Sequence, residues 1–296
     1  MPPTLAQRLG FAPDDRVAVI HCDDIGMCHA ANVGAFEALS NGPATCGSIM
    51  VPCPWFEEAA ALARANPDAD LGVHLTLTAE WMSYRWGPVA SRDRVPSLLD
   101  ADGYLPRTAL EVAKNAKPEE VEIELRAQIE KALAAGVDVT HIDSHMGTVF
   151  LPQLVPVYTK LASEYRVPAF AVRPDAELLA ARGLAGAEKL FAGLMDRLEA
   201  AGSPILDAFD AESLDFPEGE GLAHNRARIA RLVRGVTYLI CHPARDGEEL
   251  RAAMTFGAHH REFERGFYGG EAGRAALAGA GVRTLGMRAL RTLMRG

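Results

Sequence analysis

The sequence predicts an α/β protein: one distorted (βα) barrel, TIM-like, of about seven strands, with its active site at the C-terminal strand ends. Three observations predict it. Short β-rich runs alternate with longer helical patterns, the mark of βα units feeding a parallel sheet. A length of 296 residues lies within the range of one such barrel. The chain shows no linker, low-complexity tract or internal repeat, so residues 1–296 read as a single domain.

Each element has its own signal. Arg16–Cys22 (RVAVIHC) is a first strand, apolar enough to be buried on both faces. A helix follows from about Ala30 to Leu39, stopped by Asn41-Gly42. Thr45–Val51 is a second strand. Pro54 then opens the helix WFEEAAALARA at its first turn, where a missing N–H costs nothing. Leu71–Leu77 (LGVHLTL) is a third strand. From about 78 to 117 the periodicity fails, and Trp81, Tyr84, Trp86 and Tyr104 stand among Gly, Pro and Ser. An insertion of that length is usually functional, and its tryptophans suit a ring-shaped ligand, so Trp81 and Trp86 are candidate substrate contacts. Pro118 begins an amphipathic helix with Val121, Leu125, Ile129 and Leu133 on one face, ending near Gly136. Val137–Asp143 is a fourth strand. A helix over Pro152–Tyr165, a short strand over Ala169–Val172, a helical stretch over Asp175–Ala201 and a brief strand at Ile205-Leu206 follow. Val236–Cys241 is a late strand, and the chain closes with a helix over Ala258–Ala278, a strand over Val282–Leu285 and a basic helix.

Composition narrows the function classes. Hydrophobic residues make up 49% and charged residues 23%, which is ordinary for a globular protein. A formal charge of −9 gives no counterion-release term, so nucleic acid is not expected as a partner. No apolar run is long enough for a membrane span or a secretory h-region. Five cysteines without CxxC spacing indicate neither a disulfide framework nor a thiolate zinc site, and a reduced, cytoplasmic location is expected.

The position of the polar residues carries the chemistry. The first strand ends in Asp23-Asp24, and the third carries His74. The fourth delivers His141-Ile142-Asp143-Ser144-His145, and the late strand delivers His242. In a parallel barrel these ends converge on one face. Either aspartate alone reads as well as a helix N-cap. Two adjacent buried carboxylates, however, repel unless a cation or proton intervenes. Asp24, His74 and His145 would make a carboxylate–two-imidazole site with open positions. Asp23 could then take a proton from water, and His242 could give one to a leaving group. The spacing points to metal-dependent hydrolysis and leaves amide, ester and phosphate open.

At these residues the chain resembles the YdjC-like carbohydrate deacetylases. The segments HCDDIGMCHAANVGAFEAL, ATCGSIMVPCPWFEEA, LGVHLTLT and HIDSHMGTVFLP carry the likeness, with the late CHP and the Arg261-Glu262 pair. They occur in order from about Val17 to Thr284. The resemblance implies a barrel-like fold and removal of an N-acetyl group from a sugar with one divalent metal ion, Mg2+ or Zn2+. It implies Asp24, His74 and His145 as metal ligands, Asp23 as general base, and His242 as acid or oxyanion partner. It also suggests that Arg173 points into the site. The expected partner is a small N-acetylated sugar, with a homodimer left open. One departure stands out: where the family has a DSHxHxH pattern, the two later histidine positions are Gly147 and Val149. A metal-dependent amidase or esterase, and a metal- and carbohydrate-binding protein without turnover, are the competing readings.

Overall fold

The structure is a computed structural model and describes residues 3–173, 179–180, 185–186 and 188–296. Seven strands form one parallel sheet: β1 (Arg16–Ile25), β2 (Cys46–Ile49), β3 (Leu71–Leu75), β4 (Val139–Ser144), β5 (Ala208–Asp210), β6 (Gly235–Cys241) and β7 (Val282–Thr284). The order is β4-β3-β2-β1-β6-β5, and β7 pairs with the first three residues of β1. Single parallel bridges, Ile142 to Ala169 and Val172 to Leu206, carry the ring from β4 round to the residues before β5. Among the described residues these two bridges are all that link β4 to β5, which is the distortion expected. The strands anticipated at Ala169–Val172 and Ile205-Leu206 are reduced to them.

The central strand is longer than its apolar run. β1 pairs with β6 in continuous register from Arg16 to Cys22, then runs on to Ile25, so Asp23 and Asp24 belong to the strand. Alternation places Val17 and Val19 inside the barrel with Val236 and Tyr238, and terminal-helix residues Leu5, Ala6, Met287 and Leu290 complete this inner cluster. The larger core lies outside, between the sheet and the helices, and includes Ala18, Ile20, Cys22, Val73 and Ile142.

Helices His29–Asn41, Phe56–Ala65, Pro118–Ala134 and Val155–Tyr165 lie near their expected positions. The expected helix Ala258–Ala278 is two, Ala258–Tyr268 and Glu271–Gly279, because Gly269-Gly270 breaks it. Helices at Gly221–Ala230 and Glu248–Ala253 were not anticipated. Of the helical stretch Asp175–Ala201, Glu188–Ala200 is helical, while residues 174–178, 181–184 and 187 lie outside the described residues.

The 78–117 insertion is more ordered than its composition suggests. Thr108 and Glu111 form a reciprocal capping box that starts the helix Ala109–Asn115. Carboxylates of the Pro118–Ala134 helix hold the insertion down: Glu124 accepts from the Val89 and Ala90 N–H groups, and Glu120 from that of Ser97.

Candidate metal centre

A regular strand would send Asp23 and Asp24 to opposite faces. Asp24 instead adopts a left-handed conformation, φ 64°, where the β1–β2 register shifts between Cys22 and Ile25. Aspartate tolerates that region better than most residues. The kink directs both carboxylates toward the histidines of neighbouring strands.

Asp24 Oδ1 lies 3.5 Å from His74 Nε2 and 3.2 Å from His145 Nδ1. All three residues are buried, and the three ligand atoms lie within 4.8 Å of one another. Ligands about 2.0–2.1 Å from a tetrahedral ion are about 3.4 Å apart, so the spacing suits one. Each imidazole is anchored through its other nitrogen. His74 Nδ1 donates to Asp143 Oδ1 at 2.9 Å and lies 2.9 Å from Ser48 Oγ, which donates to Asp143 Oδ2. His145 Nε2 meets Glu80 Oε2 of the insertion at 3.0 Å. Outer carboxylates of this kind fix the tautomer and ring angle of metal-binding histidines.

Two observations test the fit of a cation. Asp24 Oδ2 accepts from Arg261 Nη2 at 2.7 Å, but Oδ1 is buried and accepts no hydrogen bond. That oxygen is approached only by the two imidazole nitrogens, so a positive charge, either an imidazolium proton or a metal ion, is what satisfies it. The electrostatics agree. Burial alone would raise Asp24, but Arg261 and the two imidazoles hold its carboxyl well below the usual range. Burial would lower both imidazoles, yet Asp143 and Asp23 raise His74, and Glu80 with Asp24 raises His145 to about 9. The pocket draws positive charge. The neighbouring group of His21, His141 and Asp143 fits an ion less well, because the His21 and His141 Nε2 atoms are 2.8 Å apart, a hydrogen-bond distance.

Asp23 faces the same space. Its Oδ1 meets His21 Nδ1 at 2.6 Å, while Oδ2 lies 3.7 Å from His74 Nε2 and 3.8 Å from His242 Nε2. His242 follows β6, and its N–H donates to Glu264 Oε2 at 2.7 Å. Ser213 Oγ touches both Glu264 oxygens and lies 2.7 Å from His242 Nδ1. Its single hydrogen goes to the carboxylate, so His242 Nδ1 donates and Nε2 is left toward Asp23. Burial, the largest influence, lowers the His242 pKa.

The remaining expected contacts fall elsewhere. Arg173 is exposed and pairs with Asp196 and Glu199, so the arginine at the carboxylates is Arg261. Trp86 is buried, donates to the Thr78 carbonyl, and has its ring 6.5 Å from that of His145. Trp81 is buried beside the exposed Phe256, and its Nε1 finds no partner. Neither ring is an open platform. Val149 is wholly buried in the outer core, and Gly147 takes φ 65° in the kink after His145. Glu80, Ser48, Ser213, Arg261 and Glu264 went unassigned in the sequence. Of these, only Arg261 had a signal, as half of the Arg261-Glu262 pair.

A family model described as YdjC-like protein matches residues 17–279. A carbohydrate deacetylase of Thermus thermophilus is 43% identical over 163 residues, 55% of this chain and 56% of that protein. One of Geobacillus stearothermophilus is 32% identical over 234 residues, 77% of this chain and 80% of that protein. The chain thus spans little more than half the length of the Thermus relative and most of the Geobacillus one. A solved structure from Enterococcus faecalis V583, provisionally named a cellobiose-phosphate cleavage protein, superposes with a TM-score of 0.75 at 24% identity. It covers 93% of this chain and 99% of its own, and so supports the fold.

Proposed function

Because the chain belongs to the YdjC-like family, we propose that it is a metal-dependent hydrolase that removes an N-acetyl group from an amino sugar or glycoconjugate. One observation carries the reading: a buried carboxylate oxygen without a partner faces two imidazole nitrogens, each imidazole anchored by a further carboxylate. Asp24, His74 and His145 would hold the ion. Two imidazoles favour zinc over magnesium, which prefers oxygen ligands. When bound, a divalent ion polarises the amide carbonyl and makes water more acidic.

The chain's own residues supply the proton traffic. Asp23 takes the proton of the attacking water on Oδ2, the oxygen its partner His21 leaves free. His242, steered by Ser213 and Glu264, presents Nε2 to the leaving nitrogen and delivers the proton there once it carries one. The amide C–N bond breaks, giving acetate and the free amine. Arg261 Nε and Nη1 are buried and unpartnered beside Asp24, where they can donate to a substrate oxygen.

On specificity, position 149 puts an apolar side chain into the core and position 147 bears none, so neither offers sugar hydroxyls a partner. Simple chitobiose-type oligosaccharides are then poor substrates. The insertion around Trp81 and Trp86 would back the site for a different N-acetylated compound, with the Trp86 ring 6.5 Å from that of His145. Among the described residues no helix is long and apolar enough to cross a membrane. All five cysteines are buried free thiols, in keeping with a reducing, cytoplasmic setting.

The test is acetate release from a panel of N-acetylated sugars and glycolipid precursors by zinc-loaded protein, with and without chelator. Chelator-sensitive release from at least one member is expected, with diacetylchitobiose well below the best. Release that ignores chelator, or none from any member, would remove the assignment.

A further inference from the structure

The hydrogen bonds behind Asp23 can be counted from their far end. Thr140 Oγ1 has one hydrogen and two acceptors for it, Asp70 Oδ1 and the Leu71 carbonyl. Its third neighbour, His141 Nδ1 at 2.9 Å, must therefore donate to it. His141 is fully buried, and burial above all pushes its pKa down to about 3, so it is neutral and its only hydrogen is already placed. His141 Nε2 is then a bare acceptor. The hydrogen in its 2.8 Å contact with His21 Nε2 belongs to His21. Yet His21 Nδ1 lies 2.6 Å from Asp23 Oδ1, too close for two lone pairs.

We propose that His21 is a positioning residue that carries hydrogens on both ring nitrogens, an imidazolium clamped between neutral His141 and the Asp23 carboxylate. Its surroundings suit a cation. The Tyr238 ring stacks on it, with centroids 4.7 Å apart and planes 27° from parallel, and Asp143 Oδ2 lies 3.6 Å from Nε2. Gly72 makes room for the backing ring, since a Cβ there would sit 2.7 Å from His141 Nδ1. The clamp fixes Asp23 Oδ1 and leaves Oδ2 toward His74 and His242. It also offsets the repulsion between the carboxylates of Asp23 and Asp24. The charge is structural; its use in turnover rests on the deacetylase reading.

The experiment has two arms. Nitrogen NMR of the full chain with 15N-labelled histidine distinguishes protonated from bare ring nitrogens, and His21 is assigned among the nine histidines by its loss in His21→Asn. At neutral pH both His21 nitrogens are expected to be protonated, in metal-free and zinc-loaded protein alike. A bare nitrogen on His21 would put the shared proton on Asp23 and overturn the proposal. In the second arm, the Asn amide can still donate once to Asp23 but carries no charge. His21→Asn should lower kcat about 10- to 100-fold, the worth of a charged hydrogen bond, with zinc content and KM unchanged. His21→Leu should lose more. Equal kcat for His21→Asn and the unaltered protein would overturn the positioning role. If the unaltered protein releases no acetate at all, the deacetylase reading fails, and the NMR arm still decides the charge.

Discussion

Two buried polar clusters flank the end of β6, and they differ in how completely they are paired. On one side Arg228 is fully enclosed. Its Nε donates to Asp210, its Nη1 to Asn225, Glu264 and Tyr268, and its Nη2 to the Ile240 carbonyl. Every nitrogen has a partner. On the other side Arg261 is nearly as buried, yet among the described residues only its Nη2 is engaged, and Asp24 Oδ1 is approached only by the two imidazoles. Glu264 joins the two, accepting from Arg228 through one oxygen and from the His242 N–H through the other. A fold that can satisfy one buried guanidinium this thoroughly has left the second open at the candidate site. The paired cluster is architecture; the less paired one is where we propose that ion and substrate bind.

The contrast can be broken by substitution. The largest effect expected is on rate: Asp23→Asn should keep fold and metal but lower turnover by about 10²–10⁴, since an amide cannot take the water proton. Metal analysis beside steady-state kinetics checks it, and loss of metal would make Asp23 a ligand instead. Arg228→Leu should act on stability, lowering the unfolding free energy by about 3–5 kcal/mol, because it takes the buried cation from Glu264 and leaves Asp210 with the half-exposed Arg231. Urea melts measure this. The same melts carry a pH signature. Burial would raise the Asp210 carboxyl, but Arg228 and Arg231 outweigh it and hold it below its usual value. Its stabilisation is therefore present above the unfolded pKa and lost as pH falls through the lower folded one. Arg228→Leu should flatten that acid limb. A smaller effect is expected from Asp143→Asn, which loosens His74: metal affinity should fall about 10- to 100-fold by competition with a chelator. The smallest is Arg173→Ala, an exposed pair removed, with stability changed by less than about 1 kcal/mol and KM unmoved. A large rise in KM there would return Arg173 to the substrate.

What sequence conveyed follows from chain order. Apolar strands tipped with Asp23, Asp24, His74, His145 and His242 are local patterns, and the parallel barrel they imply gathers their ends without further information. Partners drawn from elsewhere could not be read. Ser48 is a small polar residue in a strand, His21 looks like an ordinary core histidine, His141 stands out only as one of a polar run, and Glu80 lies where periodicity has failed. Each gains meaning only from a neighbour tens of residues away. The tryptophans of the insertion were expected as an open platform. Composition could show that the segment is aromatic, but not that the Thr108 capping box and the carboxylates of Glu120 and Glu124 would fold it shut over them. The left-handed turn at Asp24, which unites the carboxylates, has no signature beyond aspartate's tolerance for it.

Glu80 has a wider consequence. It belongs to the segment proposed to back the substrate, yet its carboxylate meets His145 at 3.0 Å. On the proposed reading, selectivity and metal retention therefore share a residue. A graft of the 78–117 segment from a relative with other tastes would bring a new grip on the ion as well. Directed evolution of this barrel would have to move along both axes at once.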